Sequence, residues 1–307
     1  MTEGLPIAAE GAGMRRVLAV AVAAGLVLAG AACDGGTATP ESPPADQTAE
    51  PAPGDHRLTL THGGKERTYL LHAPPTYDRA KPSAVVVALH YYPGKGSSMQ
   101  EMIGLDVIAD RENVLVAYPD GLSGGFNALT CCGTADDVGY LTALTEQLVK
   151  NWGADPDRVY LTGISNGGDM SFRAAVEAAG VFAAIGVVSG GYIGPSAQQD
   201  DYVPKQPVSV ITFIGGQDRY FDAFRSGVQT WQRRLGCKPA PAAPTGAPGV
   251  TRTDARCTDG SDVTVYTLPE MGHSWPGATA GQLADADAGV KATDLIWEFF
   301  SAHPRRS

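Results

Sequence analysis

The chain has 307 residues, 43% of them hydrophobic and 18% charged, so it can bury a sizeable core as one large domain or two smaller ones. Its 33 acidic residues outnumber its 23 basic ones, for a formal charge of −10. An acidic chain without basic runs argues against nucleic acid and against anionic membrane surfaces as partners. The six histidines are too scattered to suggest a metal cluster, so no metal is expected, and no internal repeat is visible.

Residues 1–13 contain two acidic residues and no basic one. Met14-Arg15-Arg16 then leads an apolar run from Val17 to Leu28. Two arginines before a short apolar stretch read as a secretory signal, too short for a membrane span. Met14 reads as the natural start. The run ends Leu28-Ala29-Gly30-Ala31-Ala32-Cys33, which resembles a bacterial lipobox with Gly30 where leucine is usual. Residues 1–33 are therefore expected to be a signal peptide, with Cys33 lipidated and the protein tethered through it to the outer side of the cell membrane. Simple cleavage at a small-x-small site is the alternative. Residues 34–56, rich in Pro, Ala and Thr, cannot bury enough apolar surface to fold and read as a disordered tether.

The folded domain is expected over residues 57–307. Leu58–Leu60 and Arg67–His72, separated by Gly63-Gly64, read as a hairpin. The apolar run Ala84–Leu89 fits a strand covered on both faces. A helix is expected from about Met99 to Arg111 and a strand at Val114–Tyr118. Cys131-Cys132 lies in a loop. Asp136-Asp137 opens a helix to Trp152, and both aspartates are expected to cap it. Strands follow at Arg158–Thr162, Ala183–Ser189 and Val208–Ile214. A helix is expected over Phe221–Leu235, a Pro/Ala/Gly-rich loop over 237–257, a last strand at Val263–Leu268, and a closing helix at Ala292–Ser301. Strands alternating with helices predict an α/β fold with a mostly parallel sheet and one domain.

The centre of this pattern is Gly163-Ile164-Ser165-Asn166-Gly167. The β-branched and aromatic segment Arg158–Thr162 leads in and a helical segment leads out. Strand, sharp turn and helix are what a nucleophile elbow requires, with small residues on either side of a raised serine hydroxyl. A serine is a poor nucleophile at neutral pH. It needs a base and a carboxylate that fixes the base's tautomer. Asp218 follows the 208–214 strand and His273 follows the 263–268 strand, in the chain order Ser, acid, His. Ser165, Asp218 and His273 are the expected triad, with Asp222 the rival acid. The oxyanion needs N–H donors. The Asn166 N–H is one candidate, and Tyr91 or Tyr92, in the loop after the 84–90 strand, supplies the other. Phe126 and Trp275 are placed in the substrate pocket.

Leu89-His90, Tyr118-Pro119-Asp120-Gly121, Asp136-Asp137-Val138-Gly139-Tyr140, the segment Asp157–Gly168 and Gly272-His273-Ser274-Trp275-Pro276-Gly277 resemble the secreted poly(3-hydroxybutyrate) depolymerases and feruloyl or acetylxylan esterases. The blocks span nearly all of 57–307. The resemblance implies an α/β-hydrolase fold with helices on both faces of the sheet, the same triad, and no cofactor. Two positions depart from the family pattern. His90 is followed by Tyr91 where glycine is usual, and Phe126-Asn127 stands where Trp-Asn is common.

In an exported protein the cysteines should be oxidised. Cys237 and Cys257 bracket one insertion and are expected to pair. Cys131 and Cys132 are then left, either bridged to each other or free; four cysteines allow three connectivities. A Cys132 nucleophile is the sharp alternative, but no second histidine is placed to serve it. The expected activity is hydrolysis of carboxylic esters through an acyl-enzyme. The substrate is a hydroxyalkanoate polyester or oligomer, or a feruloyl or acetyl ester on plant polysaccharide. A serine peptidase of the same fold and a non-catalytic surface binding protein are the rival classes.

Overall fold

The computed structural model describes residues 50–305, all in one compact unit. The expected signal peptide, Met14, Cys33 and the tether up to residue 49 lie outside the described residues. β1 (Gly54–His62) and β2 (Lys65–Ala73) form an antiparallel hairpin. Its turn residues Gly63 and Gly64 have φ of 58° and 73°, which a mirror-image two-residue turn demands. β1 starts earlier than the composition predicts. Gly54 pairs with Ala73 and His56 packs edge-on against Trp152 at 4.9 Å. Residues 54–56 thus belong to the sheet and not to a tether.

The further strands are β3 (Ser83–Leu89), β4 (Leu115–Pro119), β5 (Ala154–Ile164), β6 (Ala184–Val188), β7 (Ser209–Gly215), β8 (Lys238–Pro239), β9 (Ala243–Pro244), β10 (Thr251–Arg256) and β11 (Asp262–Leu268). The sheet runs β1-β2-β4-β3-β5-β6-β7-β11-β10-β8, with β9 also on β10. The six central strands from β4 to β11 are parallel, and the edges are antiparallel. Every residue of β3 is buried. Val85, Val87 and Leu89 face one apolar layer, and Ala84, Val86 and Ala88 the other. This two-sided burial is why the strand reads as an unbroken apolar run.

Helices α1 (Gly96–Ile103), α2 (Leu105–Glu112), α3 (Asp137–Trp152), α4 (Asn166–Glu177), α5 (Phe221–Arg234) and α6 (Ala292–Ala302) cover the sheet. The buried residues of α3, α4 and α5 join one layer, and those of α1, α2 and α6 the other. The single helix expected over 99–111 is two helices, because Gly104 takes a left-handed conformation at φ 62° and ends α1. The segment between Cys237 and Cys257 is not only loop, since it carries β10. Trp275–Pro276 and Ala284–Asp285 add a short parallel pair, β12 and β13.

Parallel strands place all their carboxyl ends along one edge, where the connecting loops form a crevice. The loops after β3, β5, β6, β7 and β11 meet there.

Candidate active site

β5 delivers Ser165 at φ 56° and ψ −122°, a conformation that a non-glycine residue rarely adopts. Its neighbours impose it. Ser165 N–H donates to Val188 O at 3.0 Å, and Asp169 N–H donates to Ser165 O at 2.9 Å. A Cβ on Gly163 would lie 2.4 Å from the Gly167 backbone, and one on Gly167 would lie 2.4 Å from Leu89 O. Only glycine at both positions lets strand, turn and helix close this tightly.

Asp218 follows β7 and its side chain is fully buried. Its Oδ2 lies 2.6 Å from His273 Nδ1, and its Oδ1 accepts from Tyr220 N at 3.0 Å. A buried carboxylate on Nδ1 keeps the proton there and leaves the lone pair on Nε2. Asp222, the rival acid, is exposed and pairs with Arg225 at 2.8 Å in the first turn of α5. Ser189, buried at φ 44°, donates from Oγ to Ser274 O at 3.1 Å and so steadies the loop that carries His273. Ser165 and His273 line one cavity of about 380 Å³. Among the described residues no hydrogen bond joins their side chains; such contacts commonly tighten only when substrate is bound.

The loop facing Ser165 is fixed from behind by His90. Buried His90 donates from Nδ1 to Tyr91 O at 2.6 Å and accepts from Gly121 N at Nε2, 2.9 Å. Accepting at Nε2 requires the neutral ring, and burial lowers the pKa of His90 in the same sense. Asp120 adds two anchors, accepting from Gly96 N at 2.7 Å and from Thr68 Oγ1 at 2.6 Å. Tyr91 and Tyr92 both line the cavity. The Tyr92 ring lies over Gly125, where a Cβ would meet it at 2.6 Å, and its residue is half exposed. The N–H groups of Asn166, Tyr91 and Tyr92 are not used by the turn and cap hydrogen bonds of their loops.

Two expected pocket residues do not reach the cavity. Phe126 is fully buried and packs on the His90 ring at 4.7 Å. Its backbone is held by the Asn166 side chain, which accepts from Phe126 N at 2.8 Å and donates to Phe126 O at 3.0 Å. Trp275 is buried on the other side of the sheet and donates from Nε1 to Thr293 Oγ1 at 3.0 Å. Both aromatics support loops of the site from behind. The expected capping pair also divides. Asp136 caps α3 through Gly139 N at 2.9 Å. Asp137 instead takes Arg67 Nη2 at 2.6 Å, both side chains buried, and Asn127 N at 2.6 Å, tying down the 126–133 loop.

Cys131 and Cys132 are bonded to each other, and Cys237 to Cys257. Cys131 lines the cavity. The cavity also takes Thr130, Asp169, Ile193, Arg219, Tyr220, Phe224, Gln282 and Leu283, none of which the sequence singled out. Closeness to Asp218 is a signal that could have found Arg219, Tyr220 and Phe224; Gln282 and Leu283 carry none. Tyr192, on the segment after β6, is buried against Trp231 and leaves Ile193 to face the cavity. One histidine does lie among acidic groups. Asp55, His72 and Asp106 bring donor atoms within 4.8 Å of one another. There His72 already binds Asp55 at Nδ1 (2.7 Å) and Asp110 at Nε2 (2.9 Å).

The chain is similar to known esterases. Residues 67–199 match the family described as esterase PHB depolymerase. Feruloyl esterase C of Emericella nidulans is 30% identical over 260 residues, covering 80% of this chain and 88% of that protein. Feruloyl esterase D of Neurospora crassa is 26% identical over 263 residues, covering 80% and 84%. The structure of an acetyl xylan esterase from Aspergillus awamori superposes with a TM-score of 0.60 at 16% identity, over 81% of this chain and 99% of that one. The chain thus has the α/β-hydrolase fold, belongs to the esterase PHB depolymerase family, and is a carboxylic ester hydrolase.

Proposed function

We propose that the protein is an exported serine esterase in which Ser165, His273 and Asp218 form the triad. Ser165 Oγ attacks the ester carbonyl while His273 Nε2 takes its proton. Asp218 holds the imidazole in the required tautomer and supports the imidazolium that forms. The alkoxide of the tetrahedral intermediate meets the N–H of Asn166 and an N–H of Tyr91 or Tyr92. The proton on His273 passes to the leaving alcohol, and an acyl-enzyme remains on Ser165. Water then repeats the sequence with His273 as base. The residues supply every proton transfer, so the reading invokes no cofactor.

The observation that carries this reading is the 2.6 Å contact between buried Asp218 and His273 Nδ1 in the cavity that also holds Ser165. Tyr91, Tyr92, Tyr220 and Phe224 line that cavity. Such a wall suits an aromatic or short acyl group, and relatives named feruloyl esterase support a feruloyl or acetyl ester of plant polysaccharide. A polyhydroxybutyrate-type polyester or oligomer is the second reading, favoured by the family match. Two disulfides support an oxidising compartment. Export by residues 1–33 and lipidation at Cys33 are proposals from sequence.

Methyl ferulate, p-nitrophenyl acetate and polyhydroxybutyrate, assayed side by side with wild type and Ser165→Ala, test the reading. Turnover of at least one ester, abolished in Ser165→Ala, is expected. No turnover of any ester by a folded wild type would favour a binding protein, and preferential peptide cleavage a peptidase.

A further inference from the structure

A carboxylate that lines the cavity has no part in the triad. Asp169 lies in the first turn of α4, one turn beyond Ser165. It is only 5% exposed and lines the same cavity as Ser165 and His273. Its Oδ2 accepts from Thr130 Oγ1 at 2.6 Å, and its Oδ1 from Gly191 N at 2.8 Å. Thr130 adjoins the Cys131–Cys132 disulfide and Gly191 follows β6, so Asp169 joins two walls of the cavity. No cation pairs with it directly among the described residues. The charged groups that face it are His273 across the cavity and Arg219 in the cavity lining. Arg173, one turn on along α4, is held by Glu177 at 3.1 Å and by Asn127 O at 2.6 Å.

A carboxylate buried beside two neutral donors is costly to ionise. An asparagine could keep both contacts without that cost, accepting from Gly191 N through Oδ1 and donating to the Thr130 hydroxyl oxygen through Nδ2. What a carboxylate adds is negative charge facing His273. We infer that Asp169 is a positioning residue of the esterase: its carboxylate is a second counter-charge, beside Asp218, for the imidazolium that His273 becomes when Ser165 attacks. This rests on the triad reading above. Asp169 touches neither the reacting atoms nor the His273 ring in a hydrogen bond. It acts through the field across the cavity, where a buried charge shifts the protonation of a nearby group.

Burial pushes the Asp169 pKa up to about 6, against the opposing hydrogen bonds from Thr130 and Gly191 and the charge of His273. Asp169 therefore loses its proton on the acid side of neutrality. A folded-state pKa raised above the ordinary 3.8 means that the protonated acid favours the fold. That contribution is present below about pH 3.8 and is lost as pH rises through about 6. At pH 8 the ionised group destabilises the protein.

The test is Asp169→Asn, which keeps the shape and the Gly191 N–H contact, reverses the Thr130 hydrogen bond so that the amide donates, and removes the charge. Three results are expected together. At pH 8 kcat/KM falls by roughly 5- to 30-fold, mainly in kcat, on the scale of one lost charge contact. The acid limb of the kcat/KM profile moves to lower pH by on the order of 0.5–1 unit and becomes a single-proton limb. The variant melts at higher temperature than wild type at pH 8, but not at pH 4. Thr130→Val, which removes a hydrogen bond to the ionised form, is expected to move the acid limb the other way. A variant that labels fully with a fluorophosphonate yet keeps the wild-type limb and kcat would overturn the inference and leave the triad standing. A lower melting temperature at pH 8 with an unmoved acid limb would reduce Asp169 to a structural tie between two loops. Persistence of activity in Ser165→Ala would instead remove the triad reading on which the inference rests.

Discussion

At opposite ends of the central strands lie two cavities, each lined by a histidine that pairs with an aspartate. At the carboxyl end, His273 meets Asp218 in the cavity of about 380 Å³ that holds Ser165. At the amino end of β6 and β7, a cavity of about 310 Å³ is lined by His303, Ser209 and Ser261. His303 Nε2 lies 3.1 Å from Asp262 Oδ2 and its Nδ1 lies 2.7 Å from Phe299 O. Both its nitrogens are engaged, and Asp262 is shared with Arg256 at 2.6 Å. His273 has only Nδ1 engaged in a hydrogen bond among the described residues, and its aspartate is fully buried. A histidine next to an acid is therefore not in itself a base. It needs a free nitrogen, a nucleophile in the same cavity and a carboxylate shielded from competing partners.

Substitutions at the two ends should separate them. His273→Ala is expected to lower kcat by about 10⁴-fold or more, as loss of a triad member does elsewhere. His303→Ala should leave kcat within about twofold. Asp218→Asn, which returns the wrong tautomer, should cost about 10³–10⁴ in kcat, against a change within about twofold for Asp222→Asn. Equal losses at Asp218 and Asp222 would break the comparison. Steady-state kinetics on a soluble ester reads all four.

Smaller effects sharpen the frame around the site. Arg67→Ala would leave buried Asp137 without its cation and is expected to cost about 3–5 kcal/mol of stability by urea unfolding. The 126–133 loop, which Asp137 ties down, should become more protease-sensitive. His303→Ala should cost about 1 kcal/mol, through a lost hydrogen bond and the stack on Phe299 at 4.0 Å. A larger loss of activity than of stability at His303 would overturn its assignment to structure alone.

How much of this was legible in the chain follows from what each residue is asked to do. β3 could be read because a strand buried on both faces must be apolar throughout. The elbow could be read because its two close backbone approaches admit only glycine. β10 escaped notice because it lies at the exposed end of the sheet, bordered only by the two-residue strands β8 and β9. Its sequence Thr-Arg-Thr-Asp-Ala-Arg buries a single residue, Ala255, so no apolar pattern marks it. Phe126 and Trp275 are aromatic and close to site motifs, but sequence does not say which way a ring points. Both support the site from behind. Asp169 reads as an ordinary first-turn helix acid until the folded chain brings Thr130, Gly191 and His273 around it. The fold rests on patterns local in sequence; the lining of the cavity depends on contacts between loops more than 30 residues apart, such as Thr130 with Asp169.

The central claim is that Ser165 becomes acylated. Intact-mass spectrometry of the protein quenched within milliseconds of mixing with p-nitrophenyl acetate tests it most directly, with peptide mapping of the product. The account predicts a single acetyl adduct on Ser165 in wild type, a build-up of that adduct in a variant slow to deacylate, and no adduct in Ser165→Ala. An acetyl adduct on another residue that turns over at the rate of catalysis, or full activity in Ser165→Ala, would contradict it.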